Sequence, residues 1–232
     1  MTVDYELNDD SVATIRLGDG KVNVLGPVMQ TAINEALDRA EKESAKAVVI
    51  AGNGRVFSGG FDLAVFSSGD AKAAHDMLAG GFELSMRCMT FPAPVIMAAT
   101  GPAIAMGSFL LLSGDHRVGQ QKTKCQAIEV AIGMTIPLAA LEIMRFRLTP
   151  AAFHRGASMA ATFAGDEAIA GGWLDEIVEA DRVVARAQEV AAEAAATLHT
   201  GAHKATKLKA RESALQAIRS GIDGLATEFS LG

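Results

Sequence analysis

Cysteine is scarce in this sequence, which has only Cys88 and Cys125 among its 232 residues. Two cysteines are too few for the disulfide framework that holds small secreted domains together. Residues 1–10 are polar and lack the charged and then apolar pattern of a secretory leader. We therefore predict a protein of a reducing, cytoplasmic compartment.

Three further features are missing. The 21 Lys and Arg residues are outnumbered by 27 Asp and Glu residues, so no positive field attracts a nucleic-acid backbone. The most apolar stretch, residues 92–106, is interrupted by prolines and a glycine and is shorter than the ~20 residues of a membrane helix. The five histidines lie at no spacing typical of metal ligands. We expect no nucleic-acid partner, no membrane span and no metal.

Half of the residues are hydrophobic, which suffices for one large domain with a substantial core. In residues 12–17 (VATIRL), apolar side chains alternate with small or polar ones, as in a half-buried strand. Residues 46–51 (KAVVIA) and 94–100 (PVIMAAT) are short apolar runs typical of buried strands. One helix is predicted to begin at Pro27, and another to cover residues 70–89 with a weakening glycine pair in its middle. This alternation predicts an α/β fold.

From Thr149 onward the sequence becomes helical. Thr149 precedes a proline in a pattern typical of a helix start, Asp181 is a candidate cap of an alanine-rich helix, and residues 202–220 predict another helix. Alanine-rich faces between Asp181 and Phe229 have few large apolar residues and need a partner surface. We therefore expect self-association through this region.

Two glycine-containing segments lie where a ligand would bind. Residues 56–63 (VFSGGFDL) place a glycine pair between a buried strand and a polar turn, and glycine lets a backbone approach a ligand closely. Residues 101–107 (GPAIAMG) lead into a helix, whose first amides have no intrahelical partners. Two such amides can stabilise a developing oxyanion. Either segment alone would be explained as an ordinary glycine turn, so the argument rests on the pair.

These segments belong to a longer series of motifs. The others are residues 21–25 (KVNVL), 94–100 (PVIMAAT), 114–118 (GDHRV), 129–133 (EVAIG) with Pro137, and 168–178 (AIAGGWLDEIV). In this order they resemble the enoyl-CoA hydratase/isomerase family, the crotonases, and most closely its short actinobacterial members. The resemblance implies an α/β spiral of strand–strand–helix turns over residues 1–180. It also implies that residues 181–232 form a helical region that assembles a homotrimer or a dimer of trimers.

The resemblance also assigns site residues. The backbone amides of Phe61 and Met106 would form an oxyanion hole for an acyl-CoA thioester. Contacts to substrate are implied for Ser58, Gly59, Gly60, Asp62, Leu63, Gly107, Phe109 and Pro137. Coenzyme A is part of the substrate, so no separate cofactor is expected. Its phosphates have candidate partners in Lys204, Lys207, Lys209 and Arg211, although a basic stripe on a helix is more often simply solvated.

The carboxylates separate two reactions. Hydratases of this family use two glutamates that share one water, but the first of these positions is Phe109, which cannot transfer a proton. The second is Glu129, whose place in the apolar run of residues 127–132 favours a site role. A single carboxylate is what the family's 3-enoyl- to 2-enoyl-CoA isomerases use. We therefore predict a one-glutamate isomerase.

Two alternatives stay open. A hydratase would need a second carboxylate from another direction, and the candidates are Asp62, Asp76, Glu83 and Glu142. A non-catalytic acyl-CoA-binding protein would keep the thioester pocket without the chemistry, and the presence of Glu129 argues against it. Acyl length stays open as well, because the bulky side chains of Phe61 and Met106 are expected to narrow the acyl channel.

Overall fold

A computed structural model describes residues 2–228 of the chain. The strands are β1 (Val3–Leu7), β2 (Val12–Leu17), β3 (Ala47–Ala51), β4 (Val95–Ala98), β5 (Ala103–Ile104), β6 (His116–Gly119), β7 (Cys125–Gln126) and β8 (Glu176–Ile177). The helices are α1 (Pro27–Lys42), α2 (Leu63–Ser67), α3 (Ala71–Thr90), α4 (Met106–Leu112), α5 (Leu138–Arg147), α6 (Pro150–Met159), α7 (Gly165–Gly171), α8 (Val183–Thr197) and α9 (Thr200–Glu228), with a 3-10 turn at Glu129–Ile132.

Two sheets organise the fold. The large sheet has the order β1-β2-β3-β4-β6-β8, in which β1 and β2 are antiparallel and all other neighbours are parallel. The small sheet pairs β5 with β7, and Ser58 joins it through a parallel bridge to Ala103. Three successive chain segments each add one strand to the large sheet, one extended piece to the small sheet, and then a helix. This confirms the predicted α/β spiral of strand–strand–helix turns.

Burial of both sheet faces explains the continuous apolar runs. All five residues of β3 and all four of β4 are buried. Val48 and Ile50 pack into the core beneath α1 and α3, whereas Val49 points into a second core beneath α8. A strand covered on both sides needs apolar residues at every position. The strands predicted at residues 46–51 and 94–100 are therefore confirmed.

Helix α8 covers the second face of the large sheet. Its alanines recur every four residues and are buried against β3 and β4, namely Ala187, Ala191 and Ala195. Small side chains on one helix face allow this close approach to the sheet. The alanine-rich face of α8 is thus covered by the chain's own sheet. The prediction that this face needs a partner surface from another subunit is therefore wrong. Trimer formation itself stays a prediction, and Phe229 lies outside the described residues.

Local signals predicted several other elements. Helix α1 begins at Pro27, α3 follows the cap residue Asp70, and the side chain of Thr149 caps α6. The cap of α8 is Arg182, one residue beyond the predicted Asp181. Strand β1 has no counterpart among the strands predicted from the sequence, and it lies at the sheet edge with every second residue exposed.

The glycine pair in α3 is a packing feature and not a weak point. A Cβ on Gly80 would lie 2.4 Å from the side-chain oxygen of Gln30 on α1. A Cβ on Gly81 would lie 2.6 Å from the ring of Phe61. Glycine at these two positions therefore lets α3 pack closely against α1 and against the segment that follows β3. None of the helices between residues 2 and 228 has the length and hydrophobicity of a membrane span.

Helix α9 packs on α3 and α5 and buries two cations. Lys207 and Arg211 pair with Asp115 at 2.7 and 2.6 Å, and the three side chains are 3%, 9% and 15% exposed. Burial alone would raise the pKa of Asp115, but the two cations hold it below its usual value. The suggested CoA-phosphate role of Lys207 and Arg211 is wrong, since both are buried and paired, whereas Lys204 and Lys209 are exposed.

Replacing Asp115 by asparagine leaves two buried cations without a counter-charge. We expect Asp115→Asn to lower the free energy of unfolding by about 3–5 kcal/mol at pH 7, measured by urea denaturation. The matched control is Asp38→Asn, because Asp38 also pairs with an arginine but its side chain is 72% exposed. That change should cost less than about 1 kcal/mol. Equal losses in the two variants would contradict a special role for the buried cluster.

Candidate active site

The small sheet brings together the three chain segments that follow its extended pieces. Ser58, β5 and β7 lie side by side in the small sheet. Phe61 lies three residues after Ser58, Met106 comes two residues after β5, and Glu129 comes three residues after β7. Because the strands of this sheet are parallel, the chain leaves all of them at the same edge. Residues far apart in sequence therefore meet around one cavity.

The cavity is largely apolar and has a volume of about 450 Å³, which is in the range of small-molecule sites. Helices α2 and α3, the start of α4 and the 3-10 turn form its walls. The lining includes the following residues that the sequence singled out: Gly59, Phe61, Asp62, Leu63, Phe109, Glu129 and Pro137. Ser58, Gly60, Met106 and Gly107 are not part of the lining.

Two backbone amides beside the cavity are free. The amides of residues 58–60 donate hydrogen bonds, and so do those of residues 103–105. In contrast, neither the Phe61 amide nor the Met106 amide has an acceptor among residues 2–228. A buried amide without an acceptor is rare in a folded protein. The arrangement therefore leaves two donors for a ligand.

Backbone conformation places these two amides next to each other. Each follows a residue with positive φ, which is +98° at Gly60 and +50° at Ala105. A Cβ on Gly60 would lie only 2.9 Å from that of Ala105 and 3.5 Å from the nitrogen of Met106. Only glycine fits at position 60, because the φ angle there is positive and because a Cβ would collide with that of Ala105. Two adjacent free donors are what an oxyanion hole requires.

The side chains of the two amide residues both pack toward α3. A Cβ on Gly81 would lie 2.6 Å from the Phe61 ring and 3.3 Å from the sulfur of Met106. Met106 is fully buried and does not line the cavity, so the expectation that it narrows an acyl channel is wrong. Phe61 does form part of the wall.

Ser58 and Gly107 hold the two loops together. The hydroxyl of Ser58 donates to the carbonyl of Asn23 at 2.7 Å and accepts from the amide of Gly60 at 3.2 Å. A Cβ on Gly107 would lie 2.4 Å from the carbonyl oxygen of Ser58. Both residues lie behind the wall of the cavity. The structure thus gives them a supporting role in place of the implied substrate contact.

Glu129 carries a buried carboxyl with one unpaired oxygen atom among the described residues. The residue is 8% exposed and lines the cavity, and its Oε2 atom has no hydrogen-bond partner among the described residues. Burial raises its pKa from near 4.5 to about 7, although a hydrogen bond with its own backbone opposes the shift. A carboxyl that titrates near neutral pH in an apolar cavity can both accept and return a proton.

Four phenylalanines form a continuous part of the wall. Ring centroids are 6.1 Å apart for Phe66 and Phe61, 6.2 Å for Phe61 and Phe82, and 6.3 Å for Phe82 and Phe109. The sequence analysis singled out neither Phe66 nor Phe82. Within α3, Phe82 has the spacing of an ordinary core residue, and no local signal shows that it faces a cavity.

Only one of the four alternative carboxylates lines the cavity. Asp62 does so, and its side chain also caps α2 by accepting from the amide of Ala64. Asp76, Glu83 and Glu142 each pair with a lysine or arginine side chain. The suggestion that one of these three side chains supplies the second proton-transfer group is wrong, because none of them lies in the cavity wall. Groups of three His, Cys, Asp or Glu side chains suited to a metal are not found in residues 2–228.

The raised pKa of Glu129 has a consequence for stability. The folded carboxyl holds its proton more tightly than the unfolded one, so stability falls as pH rises from about 4.5 to about 7 and stays lower above that. Glu129→Gln removes this loss. In urea denaturation we expect the variant to exceed the unmodified protein by on the order of 2–3 kcal/mol at pH 8 and to match it near pH 4.

The control for this experiment is Glu212→Gln, which changes an exposed glutamate on α9. As an exposed surface change, it should alter the free energy of unfolding by less than about 0.5 kcal/mol. A Glu129→Gln effect of equal size at both pH values would contradict the assigned pKa.

Comparison with known proteins reveals related sequences and structures. The family profile described as enoyl-CoA hydratase/isomerase matches residues 8–228. A structure of an enoyl-CoA hydratase from Mycobacterium marinum is 56% identical, covers 99% of this chain and 100% of that chain, and has a TM-score of 0.95. A Mycobacterium tuberculosis structure described as an enoyl-CoA isomerase is 55% identical, covers 98% of each chain, and has a TM-score of 0.94.

A more distant relative matches only in part. A probable enoyl-CoA hydratase of Bacillus subtilis is 28% identical over 128 residues, which are 54% of this chain and 50% of that protein. The chain thus spans about half the length of this relative, and the descriptions of its relatives include both reactions.

Proposed function

The chain belongs to the enoyl-CoA hydratase/isomerase family, and on that premise we propose that it converts 3-enoyl-CoA thioesters to 2-enoyl-CoA thioesters. The observation that carries this proposal is Glu129, a buried carboxyl whose Oε2 atom has no partner within residues 2–228 and which lines the same cavity as Phe61 and Ala105. Phe109 lines the same cavity. It occupies the position at which, according to the resemblance, hydratases have their other glutamate.

Substrate activation would come from the backbone. The thioester carbonyl oxygen would accept hydrogen bonds from the amides of Phe61 and Met106. These donors are fixed in place before substrate binds, so they stabilise the negative charge that develops on the oxygen when the α carbon loses a proton. In the low-dielectric cavity this stabilisation exceeds what water provides.

Proton transfer would use Glu129 alone. Its carboxylate takes a proton from the α carbon, the electrons delocalise from the thioester oxygen to the γ carbon, and the same carboxyl returns the proton at the γ carbon. The double bond moves from position 3 to position 2, and no water or cofactor is consumed. A pKa of about 7 suits both half-reactions, since neither protonation state is strongly favoured at neutral pH.

The aromatic wall also favours isomerisation over hydration. Addition of water needs a polar group to hold the water and a second group to transfer a proton. Phe82 and Phe109 supply neither, and they make this part of the cavity apolar. The similar Mycobacterium tuberculosis protein is described as an isomerase with one structure and as a probable enoyl-CoA hydratase with another, so the choice rests on the cavity wall.

Hydration is the second candidate, because Asp62 is another carboxylate in the cavity wall. Its side chain is committed to capping α2, which makes it a poor proton donor. A non-catalytic acyl-CoA-binding role is a weaker candidate, since a binder has no need for a destabilising buried carboxyl. We further propose a cytoplasmic location and assembly as a homotrimer or a dimer of trimers.

Removal of the base tests the mechanism. Glu129→Gln keeps the shape of the side chain and should lower the isomerisation turnover of 3-hexenoyl-CoA at least ~100-fold, the usual contribution of a general base. Affinity for saturated hexanoyl-CoA, measured by calorimetry, should stay within a few-fold. Asp62→Asn, which alters the other carboxylate of the cavity, is the matched control and should lose less than about tenfold in turnover.

A parallel loss of affinity and turnover in Glu129→Gln would make Glu129 a structural residue. Unchanged turnover in the folded variant would remove it from the mechanism.

The missing second carboxylate gives another test. Phe109→Glu should raise the hydration rate of 2-butenoyl-CoA at least about tenfold, since general acid–base groups typically contribute 10²–10⁴-fold. Phe109→Gln, of similar size but unable to transfer a proton, is the control and should show no such gain. If the unmodified protein already hydrates 2-butenoyl-CoA at ~10 per second, a typical enzyme rate, the one-glutamate argument fails.

A further inference from the structure

One motif of the sequence, residues 21–25 (KVNVL), has no part in the chemistry described so far. It belongs to neither sheet but runs beside the loop that carries the first free amide. The amide of Gly59 donates to the carbonyl of Val22 at 2.8 Å, and the amide of Leu25 donates to the carbonyl of Gly60 at 2.7 Å. Two backbone hydrogen bonds therefore tie the motif to this loop.

The second of these hydrogen bonds constrains the direction of a free donor. The carbonyl oxygen of Gly60 and the N–H of Phe61 belong to one planar peptide group, which is trans. In a trans peptide group the two point in opposite directions. Because the Leu25 amide holds the oxygen on one side, the Phe61 N–H points to the other side, where it has no acceptor among residues 2–228.

Asn23 holds the rest of this loop from within the motif. It is fully buried, and its side-chain amide donates to the carbonyl of Phe57 at 3.1 Å. Its own carbonyl accepts from the hydroxyl of Ser58 at 2.7 Å, and that hydroxyl accepts from the amide of Gly60 at 3.2 Å. Asn23 thus bonds directly to two residues of the loop and, through Ser58, is linked to Gly60.

The loop before Asn23 fixes Asn23 in turn. Its φ is +52°, in the left-handed region that asparagine tolerates better than most residues. Its Oδ1 atom accepts from the amide of Asp19 at 3.2 Å and from the side-chain amide of Asn53 at 3.3 Å. The carboxylate of Asp19 accepts from the amides of Lys21 and Val24 at 2.7 and 2.9 Å. Position 23 therefore needs a side chain with both a donor and an acceptor, and asparagine provides both.

Asn23 does not face the catalytic cavity. Val22 and Val24 line it, whereas Asn23 between them does not. We infer that Asn23 is a positioning residue, which acts through Ser58 and the peptide group of residues 60–61 to keep the Phe61 amide aimed at the thioester oxygen. The inference rests on the proposed function in one respect, which is that this amide binds the thioester oxygen.

Removal of the Asn23 side chain tests this role. Asn23→Gly accommodates the positive φ but loses the hydrogen bond to Phe57. Loss of one oxyanion donor costs on the order of 10²–10³-fold in turnover, and a displaced donor costs part of that, so turnover of 3-hexenoyl-CoA should fall at least about tenfold. Affinity for hexanoyl-CoA should stay within about threefold, because a developing oxyanion depends on the donor more than a neutral carbonyl does.

The matched control is Thr123→Ala. Thr123 is also fully buried, and its hydroxyl donates to the carbonyl of Ala99 at 3.0 Å and accepts from the amide of Gln120 at 3.1 Å. The change removes buried hydrogen bonds that do not involve the loop of Phe61. It should therefore lower the free energy of unfolding but leave turnover within about twofold.

A second readout needs no turnover. Hexanoyl-CoA labelled with ¹³C at the thioester carbonyl would be bound to each protein, and the carbonyl stretch would be measured by infrared difference spectroscopy. Donation from two fixed amides weakens the C=O bond, so the unmodified protein should lower the stretching frequency relative to the free thioester in water. Asn23→Gly should lose about half of this shift or more, whereas Thr123→Ala should keep it.

If Asn23→Gly does not fold, as judged by circular dichroism, Ser58→Ala breaks the link between Asn23 and Gly60 and replaces it. A folded variant that keeps both turnover and the carbonyl shift overturns the inference, and so does an equal loss in Thr123→Ala. A fall in affinity as large as the fall in turnover also overturns it, because Asn23 would then act on binding.

The two readouts separate this inference from the proposed function. If isomerase turnover is absent but the carbonyl shift appears and depends on Asn23, the proposed function fails and the positioning role stands. If turnover is present and neither readout depends on Asn23, only the positioning role fails. Absence of a carbonyl shift in the unmodified protein overturns the inference outright.

Discussion

The parallel alignment of three extended segments in the small sheet is the constraint on which the site depends. Ser58, β5 and β7 are joined by backbone hydrogen bonds, so the segments that follow them leave the sheet at one edge. The approach is close enough that neither Gly60 nor Gly107 has room for a Cβ. Two free amides and one carboxyl, separated by dozens of residues in sequence, therefore surround one cavity. A shift of any one segment would separate the donors from the base.

The site is a set of polar groups that the fold leaves unsatisfied. Within residues 2–228, the amides of Phe61 and Met106 have no acceptor and the Oε2 atom of Glu129 has no hydrogen-bond partner, and the pKa of this carboxyl is raised to about 7. Such groups lower stability, which the rest of the fold offsets through doubly covered strands and fully paired neighbouring amides. In the proposed function, the same burial that makes the charged form of Glu129 unfavourable would make it a competent base. Reactivity and local instability therefore have one physical origin.

In the proposed function, the choice between isomerisation and hydration depends on the lack of polar groups on the phenylalanine side chains of the cavity wall. Phe82 and Phe109 offer no group that could hold a water molecule or donate a proton, and the Asp62 carboxylate caps α2, so in the proposed function Glu129 is the base that a bound thioester meets. The apolar surface then continues between α2 and α3. In the proposed function, these apolar side chains would limit the reaction to proton transfer by Glu129.

The sequence by itself determined the alternation of strands and helices, the buried strands, the start of α1 at Pro27 and the motif residues, because periodicity, caps and glycine patterns act over a few neighbouring positions. The spiral of strand–strand–helix turns was implied by the resemblance that those motifs carry. Tertiary structure alone decided which side chains meet. Lys207 pairs with Asp115, which is ninety-two residues away in sequence. The alanines of α8 cover one face of the sheet. Phe82 has the spacing of a core residue within α3 but lines the cavity. The lack of a partner for Glu129 is likewise a property of the assembled cavity. Local patterns show which face of an element is apolar, but the strand order decides what that face contacts.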